Sequence, residues 1–126
     1  MGFRYAHKAS HAAPGKLAEL VAKDAAQDKV LLLEFAAADA PACRLEHPVL
    51  SEILRRYADR MSVIQADVES SPEDAEVFGV TAVPTFVLFV EGKERLRLVG
   101  YQTLDALTTA IDDASGEPRQ APGEPR

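Results

Sequence analysis

The chain has 126 residues, of which 47% are hydrophobic and 27% are charged, and its formal net charge at pH 7 is -6. This length fits one domain with its own core, and the composition excludes a chain that is disordered throughout. Because the chain is acidic and its Lys and Arg residues are scattered, nucleic acid is not an expected partner.

Hydrophobic periodicity and turn residues divide the chain into alternating strands and helices. The predicted strands are a weak edge strand at 2–6, a buried strand at 29–36, a strand at 62–68, and a hairpin with strands at 85–90 and 94–100. The predicted helices cover 15–27, 41 to about 59, and 71–79, and a last helix begins after residue 103. Parallel crossovers followed by a hairpin predict an α/β fold, with a mixed sheet of four to five strands and helices on both faces.

Local signals refine the helix predictions. Pro41 starts the second helix, and Pro48 lies well inside it and should kink it. The apolar side of this helix is predicted to comprise Leu45, Val49, Leu50, Ile53, Leu54 and Tyr57. Ser71 and Asp74 are typical of a capping box, and Thr103 is a candidate cap for the last helix.

The two ends of the chain are predicted to differ from the domain at 1–113. Its first part, about 1–13, is predicted to be irregular, and the Pro/Gly/Glu/Arg segment 114–126, in which GEPR occurs twice, is predicted to be a disordered tail. His7 and His11 have the spacing of a metal pair on a helix, but no local Cys or carboxylate completes a site. No metal is therefore predicted.

The apolar segments are too short to cross a bilayer. The longest run, 30–38, is far below the roughly 20 residues that a membrane-spanning helix needs. The first ten residues place Arg4, His7 and Lys8 before any apolar run, unlike a secretory signal. With Cys43 as the single cysteine there is no internal disulfide, and nothing argues against a reducing compartment. We predict a cytoplasmic protein that does not bind membranes.

Two residues in this pattern carry potential chemistry. Glu34 interrupts an otherwise apolar strand, where a charge is costly. Cys43 lies in the first turn of a helix and is either a small buried apolar residue or a reactive thiol. His47 beside Pro48 is better explained as a partly exposed surface histidine than as a general base. Phosphate loops and Ser/His/Asp arrangements are not visible, so those classes are set aside.

From about 15 to 111, the sequence resembles the thioredoxin family on several motifs that fall in register without a gap. The segment 33–44 resembles the family's V-D-F-W-A and W-C-G-P-C-K stretches, and Pro48 matches its helix-kinking proline. The segment 83–85 matches V-P-T before the family's hairpin, and Gly100 matches a glycine after it. The resemblance implies the thioredoxin fold, a cis peptide bond at this V-P step, and no cofactor.

The resemblance also implies which parts of the family's chemistry are altered. Ala40 replaces the nucleophilic first cysteine, whereas Cys43 matches the resolving second cysteine. Asp39 replaces the family's Trp and opposes thiolate formation at Cys43. Glu34 matches the buried proton-shuttling acid, and Gln65 stands where the family often has a Lys, so the pKa of the Glu34 carboxyl should be raised. Cys43 and Glu34 are the candidate catalytic residues.

A groove for an extended segment of a partner protein is implied as well, through strand addition. Its candidate binding residues are Ala40, Pro41, Val83 and Pro84. Two functions stay open. The first is a monothiol redox protein in which Cys43 forms mixed disulfides with glutathione or a protein client. The second is a non-catalytic binding module or chaperone-like adaptor.

The monothiol hypothesis predicts an accessible thiol whose pKa lies below the reference of about 8.5. A third hypothesis, that Ala40 is an experimental substitution, is weakened by Asp39, whose divergence indicates a natural origin. The sequence predicts no particular oligomeric state.

Overall fold

The computed structural model describes residues 9–11, 15–27 and 30–116. The strands are β1 (Ala9–His11), β2 (Val30–Ala36), β3 (Met61–Asp67), β4 (Thr85–Val90) and β5 (Lys93–Val99). The helices are α1 (Leu17–Gln27), α2 (Pro41–Arg56), α3 (Pro72–Val77) and α4 (Leu104–Ser115). From α1 onwards, the element order predicted from the sequence is therefore confirmed.

One five-stranded sheet, in the order β1-β3-β2-β4-β5, forms the centre of the fold. β1 and β2 run parallel to β3, while β4 runs antiparallel to both β2 and β5, which confirms the mixed sheet. The register pairs Glu34 with Gln65 and Phe35 with Thr85. The carboxyl ends of β2 and β3 and the beginning of β4 consequently meet at one end of the sheet.

Alternation along β2 sends successive side chains to opposite faces of the sheet. On one face, which we call the α2/α4 face, the core contains Val30, Leu32, Leu50, Ile53, Leu107 and Ile111. On the other, the α1/α3 face, the core contains Leu17, Val21, Leu31, Leu33, Phe35 and Ala75. Helices thus cover both faces, as predicted. Glu34 follows Leu32 by two residues and so points to the α2/α4 face.

The predicted hairpin forms, but β5 begins at Lys93, one residue earlier than predicted. Glu91 and Gly92 connect β4 to β5 with φ angles of 51° and 81°. Such left-handed pairs match the twist of a two-residue hairpin. The Thr103 side chain accepts a hydrogen bond from the Ala106 N–H at 3.0 Å, so the predicted cap of α4 is confirmed.

The beginning of the chain departs from the sequence prediction. β1 at 9–11 lies inside the segment predicted to be irregular. A strand forms there because its backbone pairs in parallel with β3. The predicted strand at 2–6 and the residue His7 lie outside the described residues. His11 is in a strand, so the helical spacing that suggested a metal pair does not apply to it. Among the described residues, no group of three potential metal ligands occurs.

Two further local predictions were wrong. Leu45 is 64% exposed. It lies five residues before the buried Leu50, which places it about 140° away around the helix. Ser71 precedes α3, but its side chain makes no cap hydrogen bond. The carboxylate of Asp74 instead accepts the N–H of Gly15 at 3.0 Å, so the capping box does not form.

At the carboxyl end, α4 continues to Ser115, where Gly116 with a φ of 79° ends the helix. The rest of the predicted tail, 117–126, lies outside the described residues. α2 runs through Pro48 as one helix, and the kink there stays a prediction. None of the described helices is long and apolar enough to span a membrane.

Candidate functional site

Cys43 lies in the first turn of α2 and faces inward. The loop 37–40 links β2 to this helix, with Ala40 at the N-cap and Pro41 at the first helical turn. Cys43 is only 8% exposed, and its Sγ accepts a hydrogen bond from the Ala37 N–H at 3.5 Å. Ala40 is half-buried and Pro41 is exposed. The helix start that faces solvent therefore carries no thiol.

The surroundings of Cys43 oppose its ionisation. Burial raises the pKa of the Cys43 thiol, and the Ala37 N–H acts in the opposite direction. The carboxyl groups of Glu34, Glu46 and Asp39 raise this pKa further, as the sequence predicted for Asp39. Because the thiolate is the nucleophile, these groups keep Cys43 in its less reactive form.

Glu34 is buried on the α2/α4 face, with 3% of its surface exposed. Its Oε1 accepts a hydrogen bond from Gln65 Nε2 at 3.0 Å. Burial raises the pKa of the Glu34 carboxyl, while the Gln65 bond and the charge of His47 act against that rise. The predicted raised pKa is confirmed. His47 itself is exposed, as expected.

An open cavity of about 610 Å³ lies between the end of β2 and α2. Its lining includes Glu34, Ala36, Ala37, Ala38, Cys43 and Gln65. β2 ends in alanine and the loop continues with alanine, so only methyl groups stand where larger side chains would occupy the space. Both candidate catalytic residues, Cys43 and Glu34, face this cavity.

Glu46 is a second buried carboxyl, which the sequence analysis missed. It is fully buried, and its Oε1 accepts the Gln102 N–H at 2.7 Å. Its Oε2 has no hydrogen-bond partner among the described residues. Burial raises the pKa of Glu46 to about 7; the Gln102 N–H opposes the shift and the Glu34 charge adds to it. Its position three residues after Cys43 and four before Leu50 was the signal available.

The candidate groove centres on the Val83–Pro84 peptide bond, which is cis. Pro84 is buried, and its carbonyl accepts the Gly100 N–H at 2.8 Å. Thr85 Oγ1 donates to the Ala82 carbonyl at 2.6 Å. Between these two bonds, the N–H and C=O of the half-buried Val83 make no hydrogen bond within the described part of the chain. Val83 therefore presents a donor and an acceptor.

The sheet register brings the two halves of this groove to the same end of the fold. Phe35 pairs with Thr85, so the loop leading to Ala40 and the segment ending at Pro84 extend from neighbouring strand ends. Val99, which pairs with Thr85, is 63% exposed, and Tyr101 is 44% exposed. The four candidate groove residues lie at this end, whereas Cys43 and Glu34 lie beside the cavity.

The fold and this site define an α/β protein of the thioredoxin class, and comparison with known proteins agrees. The thioredoxin family model matches residues 11–113. The chain is 36% identical over 86 residues to the thioredoxin of Alicyclobacillus acidocaldarius, covering 68% of this chain and 82% of that protein. It is 33% identical over 99 residues to the thioredoxin of Chlamydia muridarum, covering 75% and 96%.

Solved structures show the same likeness. Mitochondrial thioredoxin 3 of Saccharomyces cerevisiae, in its oxidised form, superposes with a TM-score of 0.73 at 28% identity, covering 87% of this chain and 98% of that one. A thioredoxin of Nicotiana alata gives a TM-score of 0.74 at 29% identity, covering 85% and 92%. The chain belongs to the thioredoxin family.

Proposed function

We propose that this chain is a non-catalytic member of its family that binds an extended segment of a partner protein. The groove consists of Ala40, Pro41, Val83 and Pro84. The observation that carries the proposal is the unpaired backbone of Val83, whose N–H and C=O make no hydrogen bond within the described residues. Extended peptides bind such groups by strand addition, because each main-chain donor and acceptor gains a partner.

The groove is held in place by its neighbours. The bonds from Gly100 to Pro84 and from Thr85 to Ala82 fix the backbone on either side of Val83. A fixed backbone lowers the ordering cost of binding. The exposed side chains of Val99 and Tyr101 add apolar surface for side chains of the bound segment.

The thiol chemistry supports binding rather than catalysis. Ala40 has no thiol at the helix start, where a nucleophile of this family would lie. Cys43 is buried and its pKa is raised, both of which disfavour attack on a disulfide. The monothiol hypothesis predicted an accessible thiol with a lowered pKa.

One observation nevertheless favours the monothiol function as a second candidate. Cys43 forms part of the wall of the open cavity, which gives a small disulfide a route to its sulfur. The Cys43 thiolate would attack one sulfur of oxidised glutathione, forming a mixed disulfide and releasing glutathione as a thiolate that takes up a proton. This would be the chemistry of a cell redox homeostasis protein.

An unfolded protein chain without disulfides is a suitable probe for the groove. We expect reduced, carboxamidomethylated ribonuclease A to shift the amide NMR signals of Val83 and Gly100. Val83→Asp should weaken this binding by at least about tenfold, because it buries a charge against the probe. Val77→Asp on α3 is the matched control, since Val77 is also exposed, at 73%, and lies on another element.

The outcomes separate the two candidates. Cys43→Ser should leave the binding unchanged if the groove acts without the thiol. Equal binding by Val83→Asp and the unmodified chain, or no binding of the probe at all, would overturn the groove proposal. Iodoacetamide should modify Cys43 at least about tenfold more slowly in the folded chain than in urea. Rapid labelling, together with reaction with oxidised glutathione, would establish the monothiol candidate instead.

A further inference from the structure

The carboxyl group of Glu34 lies at the cavity, and no Lys or Arg of the described residues forms a hydrogen bond or ion pair with it. Only its Oε1 has a hydrogen bond within the described residues, and the donor is the neutral amide of Gln65. The carbonyl oxygen of Gln65 likewise has no bonded partner there. Unlike Glu46 Oε2, the second oxygen of Glu34 is not fully enclosed, so a donor that enters the open cavity can reach it. Glu34 and Gln65 both line the cavity, and each has one acceptor oxygen without a partner among the described residues.

The charges that face Glu34 leave this carboxyl without a close positive partner. From α2 it is faced by Cys43, by the carboxyl Glu46 and by His47, and from β3 by the neutral Gln65. Its partner on β4, Phe86, is apolar. Among the described residues, His47 is the group whose positive charge stabilises the Glu34 carboxylate, and it acts from the exposed rim.

The other cation of the lining, Arg44, is directed elsewhere. Its Nη1 donates to the Asp39 carbonyl at 2.9 Å, on the surface beside the helix start. Asp67 also lies in the lining and adds a negative charge. Asp67 is exposed and its Oδ1 accepts the Glu69 N–H, so Glu34 is the acidic group at the buried end, and the apolar part of the lining includes Ala36, Ala37, Ala38, Pro48 and Leu50.

We infer that this cavity binds a small organic amine, with the ammonium group at the unpaired oxygen of Glu34 and a short apolar body against the alanine walls. The ammonium supplies the counter-charge that Glu34 lacks, and one of its donors matches this unpaired oxygen. The volume of about 610 Å³ lies within the range of small-molecule sites. A metal ion fits less well, because the described residues contain no group of three potential metal ligands.

Benzylamine and benzyl alcohol form a matched pair of probes, since they differ in charge but share the apolar ring. Titration followed by amide NMR should show benzylamine shifting the signals of Gln65 and Ala37. Glu34→Gln should weaken benzylamine by at least about tenfold and leave benzyl alcohol, the weaker ligand, unchanged. Glu73→Gln, which removes an exposed carboxylate on α3, should change neither affinity.

A second variant tests the inference by placing a positive charge of the protein itself next to Glu34. In Gln65→Lys, the new ammonium occupies the place of the amide that now lies 3.0 Å from Glu34. It should abolish benzylamine binding and lower the pKa of the Glu34 carboxyl, measured by carbon-13 NMR. In the unmodified chain, benzylamine binding should strengthen as the pH rises through the raised Glu34 pKa, as long as the amine stays protonated.

Three results would each overturn the inference. They are benzylamine binding that survives Glu34→Gln unchanged, benzyl alcohol binding as tightly as benzylamine, and no benzylamine binding at millimolar concentration. Dispersed amide spectra of each variant show that it is folded. The groove proposal is unaffected by these results, since it depends on Val83 and not on the cavity.

Discussion

The two faces of the sheet bury different chemistry. Within the described part of the chain, the α2/α4 face and its helices enclose three carboxyl groups, those of Glu34, Glu46 and Asp112. The α1/α3 face has one buried carboxyl in the described residues, Asp74, which lies on α3 and binds the Gly15 N–H. Both the cavity and the thiol lie on the α2/α4 side. One face is therefore mainly apolar packing, while the other carries the electrostatics of the candidate site.

The largest expected loss of stability follows a substitution in the apolar core of the α1/α3 face. Leu33 is fully buried and its neighbour Glu34 points to the opposite face. Leu33→Ala should lower the free energy of unfolding by about 2 to 5 kcal/mol, because it leaves a cavity in a packed core. Glu34→Gln should change it by less than about 1 kcal/mol, because glutamine has nearly the same shape and leaves no cavity, and because burial, which raises the Glu34 pKa, opposes the charged form that is lost. Urea denaturation measures the free energy of unfolding of both variants. Equal losses of stability in the two variants would contradict the difference between the faces.

A smaller loss of stability is expected on the α2/α4 face, at a buried carboxyl group that has a hydrogen-bond donor. The Tyr57 hydroxyl donates to Asp112 Oδ1 at 2.7 Å, linking α4 to the residue that ends α2. Tyr57→Phe leaves this buried carboxyl short of a donor and should cost about 1 to 3 kcal/mol. The double variant with Asp112→Asn should show strong coupling in a denaturation cycle. Additive effects would mean that the hydrogen bond does not stabilise the packing of these helices.

Glu46 should make stability depend on pH. Its pKa is raised to about 7 in the folded chain, so between roughly pH 4.5 and 7 the folded state holds a proton that the unfolded state has released. Stability from this group is complete below that window and is lost as the pH rises through it. Glu46→Gln retains an acceptor for the Gln102 N–H and should be more stable than the unmodified chain at pH 8, by up to about 2 kcal/mol.

The control for this prediction is the same pair of proteins at pH 4, where both side chains are neutral. The two unfolding curves should then nearly coincide. A constant difference at pH 4 and pH 8 would assign the effect to packing and not to ionisation of Glu46.

The smallest effect compares the starts of the helices on the two faces. Thr103→Ala removes the bond to the Ala106 N–H and should cost about 1 kcal/mol, with Thr103→Ser restoring most of it. Ser71→Ala at the start of α3 should cost less, because no cap bond is present there. Thermal unfolding ranks the stabilities of the three variants. A larger loss of stability for Ser71→Ala than for Thr103→Ala would contradict this prediction.

Much of the site could be predicted because it depends on local order along the chain. The position of Cys43 after a buried strand follows from hydrophobic periodicity, whereas the place of Gln65 beside Glu34 was implied by the resemblance to the thioredoxin family. Leu45 and Glu46 show where this fails. These two residues are neighbours in α2, and helical spacing does not decide which of them is buried. The packing of α2 against the Gln102 segment buries Glu46 and leaves Leu45 in solvent.

By itself, the sequence determined the order of the elements, the absence of a thiol at Ala40, and a lone cysteine in the first turn of a helix, because periodicity and motif spacing are local properties. Only the tertiary structure decided that Cys43 is directed inward, that Glu34 faces an open cavity, and that Val83 leaves its backbone unpaired. Those properties depend on which volumes and which charges meet between α2 and the sheet, and desolvation arises only when distant segments pack together.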